Sequence, residues 1–194
     1  MKLLGLTGGV GMGKSTAAGF LLALGARVVD TDDLAHELVR PGQPARAEIE
    51  KNFGHGIIAA DGSLDRRALA GIVFNDDAAR KKLEAILHPR IRERWQAQVE
   101  SWRQEKCPLA VVVIPLLFET QAESAFDKII CIACSPASQQ ERLAGRGWKP
   151  DQIRQRIAAQ LPVEQKLAKS NFVVWTEGVP EIHRRQIVQI LGKV

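Results

Sequence analysis

Residues Gly8-Gly9-Val10-Gly11-Met12-Gly13-Lys14-Ser15 fit the pattern G-x-x-x-x-G-K-[ST], and no other stretch restricts the fold of this chain so sharply. The pattern works in one setting only. A strand leads in, glycines turn the backbone, and a helix starts beside the lysine. The flanking residues supply that setting. Residues 2–7 are a short apolar run, and residues 14–24 carry Ala17, Phe20, Leu21 and Leu24 on one helical face ahead of Gly25. Glycine lets successive N–H groups face phosphate oxygens, and a helix start near Gly13 adds its positive end. Lys14 then reaches β- and γ-phosphates, and Ser15 offers a hydroxyl to Mg²⁺. A plain glycine turn would explain the glycines but not the strand and helix on either side.

Four more apolar runs follow, at residues 26–30, 109–114, 128–133 and 172–175. Helical patterns separate them. Five such strands predict an α/β fold with a parallel sheet and right-handed crossovers. Residues 33–107 carry helical patterns broken at Pro41-Gly42, at residues 54–56 and at Asp61-Gly62, and no convincing strand. They read as a helical insertion beside the sheet. Ile91, Trp95, Val99 and Trp102 fall at helical spacing and are expected to pack in the core. A smaller basic stretch covers residues 142–169.

Composition removes several classes. No apolar run approaches the roughly 20 residues of a membrane span. Glycines interrupt the N-terminus too early for a signal peptide, so a cytoplasmic protein without membrane partners is expected. The formal charge of +5 suits an anionic ligand, but no dense Lys/Arg block points to nucleic acid. Cys131 and Cys134 form a C-x-x-C inside an apolar run. They have no second ligand pair and are expected to serve as small hydrophobes.

The loop specifies a nucleotide, not a reaction. An N-K-x-D guanine motif is missing, which argues against a GTPase. The third strand runs into Pro115, Leu116, Leu117 and Phe118 before the acid Glu119, unlike a switch or motor ATPase. A chain of 194 residues suits a small-metabolite kinase. Asp30, Asp32 and Asp33 stand at the carboxyl end of the second strand, the edge where open α/β sheets bind ligands. Acids there can hold Mg²⁺ or accept a proton from an attacking hydroxyl. Asp30 or Thr31 can equally cap a helix over residues 34–39.

Taken together, the residues resemble the dephospho-CoA kinase family over nearly the whole length. The resemblance rests on Leu6 through Thr16, on Val29-Asp30-Thr31-Asp32, and on Ala35, Val39 and Pro41-Gly42. Further on it rests on Phe53-Gly54, Asp61-Gly62, Leu64-Asp65-Arg66, Leu69, Leu87-His88-Pro89, Ile91 and Pro115-Leu116-Leu117-Phe118-Glu119. It implies transfer of the ATP γ-phosphoryl group to the ribose 3′-hydroxyl of dephospho-CoA, the last step of coenzyme A synthesis. It also implies a P-loop NTPase-type three-layer fold with a five-stranded parallel sheet. A nucleotide core is expected at residues 1–32 and 108–194, with a lid at about 142–169. Residues 33–107 are expected to form the helical dephospho-CoA subdomain.

The resemblance also assigns roles. Asp32 matches the proposed general base and Asp30 the acid before it, whereas Asp33 stands where the family has an apolar residue. ATP is assigned to Gly9, Val10, Gly11, Met12, Gly13, Lys14, Ser15 and Thr16, with Ser15 holding Mg²⁺. Arg142 and Arg146 follow the fourth strand, where the family places its lid. Four apart on a helix, they would share a face and meet the transferring charge, Arg142 in catalysis and Arg146 on ATP. Thr7, Asp32, His88, Leu117 and Glu119 are assigned to the acceptor. Beside Pro89, His88 has an equal claim to a structural role at a helix break. Ser170-Asn171 and Thr176 depart from the family pattern, leaving Thr176 and Gly178 as candidate adenine contacts. A monomer or weak homo-oligomer is expected. Another small-molecule or nucleoside monophosphate kinase, or a nucleotide-binding regulatory module, are the competing readings.

Overall fold

A computed structural model describes residues 1–194. The strands are β1 (Lys2–Gly8), β2 (Arg27–Asp30), β3 (Leu109–Val113), β4 (Lys128–Ala133) and β5 (Phe172–Trp175). The helices are α1 (Lys14–Ala23), α2 (Thr31–Leu38), α3 (Pro44–Phe53), α4 (Arg66–Val73) and α5 (Asp77–Gln104). They continue as α6 (Pro136–Ala144), α7 (Pro150–Ala158), α8 (Val163–Lys169) and α9 (Pro180–Leu191).

The sheet order is β2-β3-β1-β4-β5, and every pairing is parallel. β1 is central, with β3 on one side and β4 on the other. The chain leaves the sheet from β1 at the switch point where such folds open a crevice. A β-strand points alternate side chains to opposite faces, and β1 uses both. Leu4 and Leu6 join Val111, Val113, Ile130, Ile132 and Val174 on one face. Ala17 and Leu21 of α1 and Ile187 and Ile190 of α9 cover them. Each fully buried Leu or Ile there contributes about 1.5–3 kcal/mol. On the other face Gly5 makes room for Leu117, whose Cδ1 lies 2.7 Å from where a Cβ would sit. Val163 and Leu167 of α8 cover Met12, Ala133 and Cys134. These layers match the expected three-layer arrangement.

The chain divides into two compact units. One is Met1–Asp30 with Val99–Val194, and the other is Thr31–Gln98. The helical unit has its own core of Leu38, Val39, Ala45, Ile49, Ile57, Leu69, Val73 and Ile86. Its only strand-like contact is a single antiparallel bridge, Ile58 with Leu64, closed by a turn with Gly62 at φ 78°. Asp65 caps α4, accepting from Arg67 N at 2.9 Å and Ala68 N at 3.0 Å.

Two local expectations need correction. α2 starts at Thr31, directly after β2, not near residue 34, so Asp32 and Asp33 lie in its first turn. Carboxylates there suit the positive end of the helix. Pro89 does not break α5, which runs on for 28 residues. Proline removes one N–H from a helix and crowds the preceding turn. The N–H that Pro89 lacks would have served the Ala85 carbonyl, and at the neighbouring Ile86 carbonyl the Arg90 guanidinium donates at 2.6 Å. Trp95, Val99 and Trp102 are buried along α5, in keeping with core packing.

Candidate active site

β1 ends at Gly8, where only glycine fits. Its φ is 143°, and an added Cβ would meet the Ile132 carbonyl oxygen of β4 at 2.2 Å. The chain then turns through Gly11 and Gly13, and Gly13, at φ 96°, is the N-cap of α1. No side chain caps that helix. A helix start left without a side-chain cap, at the end of a glycine turn, is a ready anion site.

Lys14 Nζ donates to the carbonyls of Gly8 and Gly9, each at 2.9 Å. This bends the lysine back across its own loop, with its charge over the turn. Ser15 and Thr16 are exposed on the first turn of α1. The Ser15 hydroxyl is a hard oxygen donor of the kind Mg²⁺ takes. That ion is ordinarily held by one or two protein oxygens with phosphates and water completing the shell. Ser15 therefore fits the ion the resemblance implies.

Two glutamines that sequence reasoning missed hold the loop from outside. Val10 N–H donates to Gln160 Oε1 at 2.9 Å, and Gln139 Nε2 donates to the Val10 carbonyl at 2.7 Å. Gln139 is buried on α6 one turn before the buried Leu143. A polar residue on an apolar helix face was the available signal. Gln160 lies in the short link between α7 and α8 and carries no local pattern.

Thr176, just beyond β5, braces the loop from behind. It is 2% exposed. Its hydroxyl lies 2.9 Å from the Met12 carbonyl and 3.2 Å from the Ala133 carbonyl, and accepts from Arg142 Nη1 at 2.9 Å. Arg142 Nη2 also donates to the Thr176 carbonyl. Glu177 accepts from Ser135 N at 2.6 Å and Ser138 Oγ at 2.7 Å. Those bonds, the Ser135 amide first, hold its carboxyl below the usual range. The end of β5 is thereby tied to the start of α6. Thr176, a candidate adenine contact on sequence, is spent on this brace.

Arg142 and Arg146 do not share a helix face. α6 stops at Ala144, and the chain turns through Gly145, Arg146 and Gly147, the last at φ 79°. Glycine at a helix end favours that left-handed turn and stops the helix. Arg146 is exposed in the turn, whereas Arg142 is half-buried.

The residues after β3 meet a third missed group. Lys166 of α8 is 0% exposed. Its Nζ lies 2.8 Å from Glu119 Oε1 and donates to the Pro115 carbonyl at 2.7 Å. Glu119 Oε1 also accepts from Leu161 N at 2.8 Å. Thr7, fully buried, donates to the same Pro115 carbonyl at 3.3 Å. Leu117 is fully buried against Gly5, so its side chain belongs to the core. Lys166 lies between the inward-facing Val163 and Leu167, a placement that marked it as buried.

Asp30 ends β2 level with Val113 of β3, which in turn pairs with Leu6 of β1. The acid thus stands at the same carboxyl edge from which the phosphate loop departs. Asp32 follows as the second residue of α2. His88, half-buried in α5, is kept below the ordinary histidine range by burial. The Arg92 charge adds to that shift and the Glu84 charge opposes it. All three cysteines are buried and free. Burial pushes the Cys131 thiol up to about 11, despite the opposing charges of Lys166 and Lys14. A thiol so shifted is a poor nucleophile, so the C-x-x-C serves packing.

A parallel sheet with a glycine phosphate loop after its central strand, followed by a helix opening on lysine and serine, defines a P-loop kinase-type nucleotide fold. Shikimate kinase from Aquifex aeolicus shares that fold with a TM-score of 0.55 at 17% identity, covering 98% of this chain and 96% of that one. A family model for dephospho-CoA kinase matches residues 2–180. A dephospho-CoA kinase of Geobacter sulfurreducens is 41% identical over 194 residues, covering 100% of this chain and 98% of that protein. The solved structure of dephospho-CoA kinase from Campylobacter jejuni superposes with a TM-score of 0.71 at 26% identity, covering 100% of this chain and 97% of that one. The chain belongs to the dephospho-CoA kinase family. No helix is long and apolar enough to cross a membrane.

Proposed function

We propose that the protein transfers the γ-phosphoryl group of ATP to the ribose 3′-hydroxyl of dephospho-CoA, giving CoA and ADP. The observation that carries this reading is the family match over residues 2–180. The acceptor oxygen bonds to the γ-phosphorus while the bond from that phosphorus to the β–γ bridging oxygen breaks. Phosphoryl transfer asks a protein chiefly for positioning and charge, because little covalent chemistry is left to it. The loop N–H groups from Gly9 to Thr16 cradle the phosphates. Lys14 leaves the carbonyls of Gly8 and Gly9 for the β- and γ-oxygens, a carbonyl partner being the weaker one for an ammonium. Ser15 holds Mg²⁺, which neutralises phosphate charge when bound.

Asp32 accepts the proton of the attacking hydroxyl. Support comes from its place two residues past the end of β2, at the edge from which ligands are reached. Arg142, anchored on Thr176 close behind Met12, serves the nucleotide side. Arg146, in the turn after α6, meets ATP from the lid segment at about residues 142–169. The helical unit Thr31–Gln98, with His88, takes the acceptor. The protein works in the cytoplasm as a monomer or weak homo-oligomer.

A substrate panel with Mg-ATP tests the reading. Dephospho-CoA should be phosphorylated faster than AMP, CMP or shikimate. Equal or faster turnover of any of these three would sink it.

A further inference from the structure

The phosphate loop has a mechanical problem. Glycine-rich backbone flips its peptide planes easily, and one flipped plane would aim a carbonyl at the phosphates. Two consecutive planes around Val10 are tied against this. Gln160 Oε1 fixes the Val10 N–H, and Gln139 Nε2 fixes the Val10 carbonyl. The two ties differ in support. Gln139 rides on α6 and is itself buried. Gln160 sits between helices, where backbone alone does not hold a side chain.

Its anchor is the next residue. Leu161 N–H donates to Glu119 Oε1, and that same oxygen faces Lys166 Nζ at 2.8 Å. Lys166 has no exposure to water and also donates to the Pro115 carbonyl. Thr7, the residue just before Gly8, donates to Pro115 as well. The contacts form a closed circuit: loop, Gln160, Leu161, Glu119, Lys166, Pro115, Thr7 and back to the loop. The buried Lys166 ammonium costs several kcal/mol to desolvate, and the Glu119 carboxylate that pairs with it, 21% exposed, offsets only part of that. A leucine or methionine at position 166 would fill the space under α8 without that cost. The pair is therefore a poor device for stability and a good one for fixing a geometry.

We propose that Lys166 and Glu119 are positioning residues for phosphoryl transfer. Together they hold the α7–α8 link so that Gln160 keeps the Val10 peptide in its phosphate-binding orientation. The inference rests on the ATP reading of the loop but not on the identity of the acceptor. It assigns Glu119 a task distinct from touching the acceptor.

The test is a double-mutant cycle in the full-length protein, read by calorimetric titration with a non-hydrolysable ATP analogue and Mg²⁺ and by kcat. Gln160→Ala should weaken analogue binding about tenfold, the scale of losing one well-placed hydrogen bond near an anion. Glu119→Gln should do the same while leaving dephospho-CoA affinity unchanged. The pair Glu119→Gln/Gln160→Ala should lose no more than the worse single change, because both act through one contact. Lys166→Met should match Glu119→Gln. If it does not fold, Lys166→Met/Glu119→Gln, which leaves no unpaired buried charge, takes its place. Lys166→Arg, which keeps a cation, should restore part of the affinity lost in Lys166→Met. Additive losses in the cycle would overturn the proposal. So would weakened dephospho-CoA binding with normal analogue binding in Glu119→Gln. A wild-type protein that binds the analogue yet leaves dephospho-CoA untouched would instead refute the acceptor reading, with the cycle still deciding this one.

Discussion

The surroundings of the phosphate loop and the helical unit differ in what their charged and polar side chains bond to. Around the phosphate loop, side chains bond inward to backbone, as Thr176, Gln139, Gln160 and Lys166 all do. In the helical unit Thr31–Gln98 the ion pairs lie on or near the surface. Examples are Arg90 with Glu48 and His55 with Glu50, each at 2.7 Å. Leaving a buried polar group without its partner costs about 1–3 kcal/mol, whereas an exposed ion pair is worth roughly 0–1 kcal/mol. The loop unit is thus built to hold one geometry. The helical unit is held by its apolar core, and its surface ion pairs add little to that.

The largest test of that contrast is Lys14→Ala. The lysine is the one loop cation, and its Nζ donates to two carbonyls of its own loop. Removing it should lower kcat on the order of a thousandfold while thermal unfolding changes little. Near-normal kcat would refute the role given to the loop. Asp32→Asn comes next and probes the contrast from the other side. Asp32 belongs to the helical unit, yet it is the proposed base. The amide should fold, bind both substrates and lower kcat about a hundredfold or more. An active Asp32→Asn beside a dead Asp33→Asn would move the base by one residue.

Of these two residues Lys14 was the more legible, whereas Asp32 was singled out from Asp30 and Asp33 only by the family resemblance. Lys14 is fixed by a contiguous motif, and the strand and helix around it follow from hydrophobic pattern at periods of two and 3.6. All five strands were readable, because a sheet buried on both faces leaves continuous apolar runs such as Leu109–Val113. What escaped was everything that depends on residues meeting across distance. Val10 and Gln160 are 150 residues apart, and Glu119 meets Leu161 across 42. No local pattern encodes such pairs. Helix ends escaped as well, since the stop at Gly145 and Gly147 separates Arg142 from Arg146 by conformation rather than by spacing.

A smaller effect is expected at Thr176→Val, which keeps shape but removes the hydroxyl behind the loop. The Met12 carbonyl loses its side-chain donor and Arg142 loses an acceptor. Stability should fall by about 1–2 kcal/mol in denaturant melts. The affinity for ATP should fall with it, since the same hydroxyl braces the loop. A stability loss with unchanged ATP affinity would show that the brace supports the sheet alone.

The smallest effect belongs to the helical unit and separates packing from chemistry there. Asp65 caps α4 through two backbone N–H groups, so Asp65→Ala leaves both without their acceptor. The cost should be about 1 kcal/mol, typical of a lost N-cap. Glu48→Gln, which weakens a half-exposed pair, should cost less than about 0.5 kcal/mol. Neither should change kcat with saturating substrates, because neither residue has a place in the transfer. A kcat loss in Asp65→Ala larger than its loss of folded protein would mean that the order of α4 itself sets the reaction geometry. The helical unit would then be as rigid a part of the machinery as the phosphate loop, and the contrast between the two units would fail.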